Sequence, residues 1–275
     1  MLCMYESSEG VKIIFNRAPE YRILRIGDLR NYSRPYKAVG KSIVFLQKST
    51  VEHNIEISCM PAGNATEDKN FIINTFEKDC QKGKFGKLYI DNYYLFCNIY
   101  ATDFEPESEV RGIFHIKCKL VSKWGWFNDI AYEFYGQRNA GLTSSQIRDL
   151  PFDFHQPNVT EYRLENRAIL DSDIKIVFET ANDSTVDSPS ITIAGAAYRI
   201  NAQLTANYKI IIDPICRTIT RINKTTGMEE SVFRLRDTSS SVFAKVPSGI
   251  HKVTVAENVK ATVTLLQERM TPLWT

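Results

Sequence analysis

The chain has 275 residues, a length that at ~150 residues per domain points to about two domains. Hydrophobic residues make up 43% and charged residues 24%, ordinary globular usage that excludes a disordered chain. A formal charge of +2, from 34 basic and 32 acidic residues, gives no electrostatic reason to expect a nucleic-acid binder.

Residues 1–11 carry Glu6, Glu9 and two serines where a secretory signal needs a basic end and an apolar core. No apolar run approaches the ~20 residues of a membrane span. Neither export by that route nor membrane insertion is expected. Six cysteines (Cys3, Cys59, Cys80, Cys97, Cys118, Cys216) are scattered without a CxxC pair, which favours free thiols over a disulfide scaffold. The N-x-S/T triplets at Asn64, Asn158 and Asn223 are then chance matches to a short pattern.

Thirteen Tyr, fifteen Phe and many β-branched residues recur in short alternating runs bounded by Gly, Pro, Asn and Asp, the pattern of strands. The first strand is expected over 11–15. Residues 21–37 (YRILRIGDLRNYSRPYK) then interleave basic and aromatic side chains, a composition that suits single-stranded nucleic acid. Asp28 and the balanced charge argue against that use, and an extended arm packed on a neighbour is the better reading. Its Ile23, Leu24, Ile26 and Leu29 need a covering surface, which in a symmetric oligomer can be the next subunit.

Strands follow over 41–47 and 51–60, then a helix. Thr66 can cap it, Glu67 and Asp68 place acid in its first turn, and Gly83 stops it between Lys82 and Lys84. Phe71, Ile72, Thr75, Phe76 and Cys80 form an apolar stripe without a polar interruption, so the helix should lie across one face of the first sheet.

After strands over 87–90, 93–102 and 111–122, a register suggests itself. Leu95, Cys97, Ile99 and Ala101 share one face, as do Phe114, Ile116, Cys118 and Leu120. Pairing Cys97 with Cys118 also pairs Leu95 with Leu120, Ile99 with Ile116 and Ala101 with Phe114. Such a pair of thiols could be oxidised, though two reduced core thiols fit better. The 103–112 connection holds Asp103, Glu105, Glu107 and Glu109 around Pro106, an acidic tip that should project. It lacks the D-x-D-x-D-G spacing of a calcium loop.

From 135 to 160 alternation stops among Gly136, Gly141, Pro151, Pro157 and polar residues, which places the domain boundary there, with the LPFDF run at 150–154 anchoring the linker. Beyond it, strands are expected over 174–179, 197–204, 208–212, 218–222, 231–236, 242–246, 252–256 and 261–267. That rhythm is the signature of a β-sandwich. Asp213-Pro214, the NKTTG run at 223–227 and Pro247-Ser248-Gly249 are its turns. Ala261, Val263 and Leu265 oppose Thr262 and Thr264.

Catalytic chemistry is not legible. His53, His115, His155 and His251 are far apart, and His115 and Cys118, three apart on a strand, point to opposite faces. GxSxG, HExxH, a P-loop and a strand-borne GxGxxG are all missing. A glycosidase pair of carboxylates cannot be recognised from spacing alone. No catalytic, cofactor-binding or metal residue is therefore designated, and no cofactor is implied.

Taken together the segments form a pattern. An aromatic-rich β-region with one helix is followed by KLYIDNYYLFCNIYATDFEPESEVRGIFHIKCKLV (87–121), KWGWF (123–127) and LPFDF. Then come YKIIID (208–213), NKTTG, FAKVPSGIHKVTV (243–255) and the tail ERMTPLW (268–274). This resembles the siphophage distal tail proteins, or siphovirus-type tail components, along nearly the whole chain.

The resemblance implies a mainly β protein: a tail-tube-like β-sandwich or barrel domain with one packing helix over 1–135, a linker over 136–160, and a galectin-like β-sandwich over 161–275. It implies a hexameric ring at the distal end of a virion tail, joining the tail tube to the tip or baseplate hub. The first domain would build the ring; the second would face outward and carry receptor-binding proteins. Expected partners are further copies of the chain, the tube protein, the hub and a receptor-binding protein, with no specific nucleic-acid binding and no enzyme activity. An acidic tip facing the channel would repel passing DNA, and neutralising Glu105, Glu107 and Glu109 would then slow its ejection. In 161–275 the sole Trp is Trp274 and no H-x-N-x-R stretch exists, so that domain should dock and space rather than bind sugar. A carbohydrate-binding sandwich protein and a hub subunit of a contractile phage-like particle remain the alternative readings.

Overall fold

Alternating apolar residues bury only when sheets fold over a core, and the protein is accordingly mainly β, with one α-helix among the described residues. The computed structural model describes residues 3–15, 21–25, 29, 36–39, 42–45, 51–59, 65–108, 113–136, 162–181, 184–269 and 271. The linker at 137–161 with its LPFDF run, the tip at 109–112 and Trp274 lie outside them. Two compact units form: Met1–Asn128 with Glu268–Thr275, and Asp129–Gln267.

The first unit contains β1 (Cys3–Glu6), β2 (Lys12–Ile14), β3 (Tyr21–Arg25), β4 (Tyr36–Val39), β5 (Ser42–Phe45) and β6 (Val51–Cys59). Helix α1 (Ala65–Lys82), β7 (Gly86–Ile90), β8 (Tyr93–Ser108) and the start of β9 (Ile113–Tyr135) follow. Apart from the β4–β5 hairpin, the strands form one antiparallel sheet in the order β3-β6-β9-β8-β7-β1-β2. Six steps of ~4.8 Å would hold its edges about 29 Å apart if it were flat. Only residues 16–20 separate Phe15, still bonded to Cys3 of β1, from Tyr21 at the opposite edge, and that link reaches about 21 Å. The sheet therefore curls back on itself around one core, in which Tyr5, Phe15, Ile57, Leu88, Cys97, Ile116 and the α1 residues Ile72 and Phe76 pack together. The residues read as an arm begin as β3, paired to β6 of the same chain, and Leu29 is buried in this core.

Helix α1 runs from one residue before Thr66 to Lys82, and Gly83 adopts φ +60° to end it. Its inward stripe differs from the expected one. Ile72, Thr75, Phe76 and Asp79 are buried, whereas Phe71 and Cys80 are exposed. An aspartate thus interrupts the stripe, because its carboxylate finds donors on β1 and the β1–β2 turn.

In the β8–β9 pair Leu95, Cys97, Ile99, Phe114, Ile116, Cys118 and Leu120 point into the core as expected, but Ala101 does not share their face: the bulge at Tyr100 sets it opposite the exposed Lys119. The offset is not. Cys97 sits opposite Ser122, Ile99 opposite Leu120 and Leu95 opposite Trp126, with bulges on either side of Cys97. Up to Ile99 the slip is an even number of residues, which leaves those side chains on their face, so periodicity cannot distinguish the two registers there. Cys97 and Cys118 are consequently not cross-strand neighbours. The strands also run on through Asp103 and Glu105, so these two acids belong to the ladder rather than to a tip.

The second unit continues with β10 (Tyr162–Asn166), β11 (Asp173–Thr180), β12 (Val186–Asp187), β13 (Ser190–Ile193), β14 (Ala196–Arg199) and β15 (Gln203–Leu204). It is completed by β16 (Tyr208–Asp213), β17 (Thr218–Asn223), β18 (Glu229–Ser231), β19 (Gly249–Val255) and β20 (Val259–Arg269). One sheet has the order β18-β17-β16-β11-β20-β9 and the other β10-β19-β13-β14. Leu164, Ile191, Tyr198 and Val253 of the second meet Ile176, Ile210, Val263 and Leu265 of the first in one core, which is a β-sandwich. Ala261, Val263 and Leu265 face inward as expected.

The turns explain the hairpins. Asp213 Oδ1 accepts the amides of Ile215 and Cys216, and Asn223 Oδ1 those of Thr225 and Thr226, before Gly227 at φ +70°. Two expected strands are absent. Phe233–Leu235 is a 3-10 turn on which Arg236 stacks, and over 242–246 only Val246 bridges, to Ser172. Pro247-Ser248-Gly249 therefore leads into β19 instead of closing a hairpin. Three sheet edges are occupied or charged: the Tyr132 hydroxyl donates to the Glu165 carbonyl of β10, the Asp237 amide to the Arg199 carbonyl of β14, and β18 exposes Glu229 and Glu230.

Candidate functional surface

Three features of the described residues stand out, two on the first unit and one on the second. The first is a clamp. Asp79 on α1 is fully buried and accepts from the Tyr5 hydroxyl at 2.7 Å, the Ser8 hydroxyl at 2.5 Å and the Ser8 amide at 3.0 Å. One turn on, Lys82 contacts Glu9 and lowers its pKa. Tyr5 packs edge-on against Phe76, its ring centroid 5.0 Å away, and burial raises its phenol pKa. The approach is so close that a Cβ at Gly86 would stand 2.2 Å from the Tyr5 hydroxyl. Beside the clamp lies a depression of about 190 Å³ lined by Val11, Phe71, Asn74 and Lys78. Sequence reasoning chose Cys80 over Asp79, although Asp79 stands at the helical spacing from Ile72, Thr75 and Phe76 that marks the inward face.

The second is a charge ladder on the outer face of the sheet. Lys117 of β9 lies between Glu56 of β6 and Asp103 of β8, and its ammonium contacts Glu105 at 2.5 Å. Hydrogen bonding to Glu105, with Glu105, Glu56 and Asp103 nearby, raises the Lys117 pKa. His115 stands 3.6 Å from Glu56 on this face, while Cys118 points inward, as their spacing required. Glu105 is thus partnered by a lysine, which weakens its share of any acidic lining.

The third is a loop held from within the sandwich. Asn166, itself buried, donates to the carbonyls of Val246 and Pro247 at 2.9 and 3.1 Å and accepts from Ala168, Ser172 and Gln267. Its carbonyl oxygen ties down Ala168 and Ser172 at either end of a loop that holds Ile169 (84% exposed) and Leu170 out to solvent. Ile250, opposite Glu165 on β19, is exposed as well. Nothing in the spacing of NRAILDSD announces this, because the display depends on partners eighty and a hundred residues away.

Among the described residues no three His, Cys, Asp or Glu side chains converge on a point where a metal ion could sit. Cys3 and Cys118 are each pushed up to about 12 by burial, and Cys97 higher still, so these thiols are packing groups and not nucleophiles. No helix among these residues is long and apolar enough to cross a membrane.

No protein-family model matches the sequence, and no curated protein matches it. Solved structures do. The Dit protein of phage SPP1, described as a paradigm of the hub adsorption apparatus in phages infecting Gram-positive bacteria, superposes with a TM-score of 0.54 at 5% identity, covering 98% of this chain and 100% of that one. A chain of the phage P2 baseplate in its activated conformation with calcium gives a TM-score of 0.63 at 11% identity over 99% and 100%. The strontium form gives 0.62 at 11% over 98% and 99%. Such identities carry the fold and not the chemistry. Since both units are matched over their full length, the chain has the fold of the phage distal-tail hub proteins.

Proposed function

We propose that the chain is a structural subunit of a phage tail that forms a hexameric ring at the distal end, joining the tail tube to the tip or baseplate. The observation that carries this reading is the end-to-end likeness to hub and baseplate proteins, with almost nothing left over on either side. The first unit builds the ring and the second serves as an outward docking and spacing module for receptor-binding proteins. The subunits are made in the host cytoplasm and end in the virion. The Asn166-held loop supports the docking role, because a backbone fixed before a partner arrives loses little entropy on binding. The protein performs no reaction in this reading.

Native mass measurement over a range of concentrations, with negative-stain imaging, tests the proposal. The expected product is a ring with a central hole. A protein that stays monomeric throughout, and that antibodies fail to find on purified phage tails, would end it.

A further inference from the structure

We draw no further inference here: the strongest candidate, the exposed Ile169 and Leu170 of the loop after β10, belongs to the docking surface already described, and nothing in the structure shows which partner covers them.

Discussion

Asp79 shows what a single residue does in this fold. Its carboxylate is buried at the junction of a helix, a strand and a turn, and it is kept there by donors: the Tyr5 hydroxyl and both the hydroxyl and amide of Ser8. Asp79→Asn preserves the shape but replaces an acceptor oxygen with an amide that faces those donors. The expected loss is ~1–3 kcal/mol of unfolding free energy in urea titrations. Gly86→Ala should cost a similar ~1–3 kcal/mol, because its methyl displaces the same tyrosine. Since both act through Tyr5, the double variant should lose less than the sum, and full additivity would show that the contact is not shared.

At the scale of elements, legibility depended on which physical rule was being read. Faces were legible up to the bulge at Tyr100: β8 as far as Ile99, β9 and β20 point inward the residues that alternation assigned, while Ala101, past the bulge, changes side. Offset was not, because an even slip costs the pattern nothing and the bulges on either side of Cys97 have no compositional mark. Very short strands escaped altogether: β1, β10 and β13 are four or five residues long, too brief for alternation to stand out. The two segments wrongly read as strands, 231–236 and 242–246, hold the apolar spacing of strands but close local turns through the Leu235 and Ala244 amides. The display loop after β10 was likewise invisible, since Asn166 works only once Val246 and Gln267 have been brought to it. Asn166→Ala strands the buried Ser172 hydroxyl and the Gln267 amide together, while the Val246 carbonyl keeps the Ser172 amide. It should lower sandwich stability by ~2–4 kcal/mol and speed hydrogen exchange across 167–171, while exchange in α1 stays as it was.

At the scale of the whole molecule, the chain leaves the first unit at Asn128 and returns to it at Glu268. Within that unit the two ends are neighbours. The Gly125 amide donates to the Glu268 carboxylate at 3.0 Å, and a Cβ on Gly125 would lie 2.4 Å from the Arg269 carbonyl. Replacing Asp129–Gln267 with a short flexible turn should therefore leave a unit that folds, with the clamp at Asp79 intact, as a single cooperative melt with protected α1 amides would show. A molten product would mean that the first unit depends on the segment it surrounds. The functional surfaces divide along the same line. The depression and charge ladder belong to the first unit, the Asn166-held loop to the second, and the former were partly legible because charge and helical spacing are local properties.

The treatment of the sandwich edges has its own consequence. On the proposed function the chain is synthesised in many copies at once, and a sheet whose rim offers free amides and carbonyls would recruit other chains into fibrils before assembly could begin. Here a tyrosine hydroxyl, a returning backbone amide and a pair of glutamates occupy or repel at three such rims. Crowded newly made chains are thereby steered away from cross-β templating and remain competent for ordered packing through side chains.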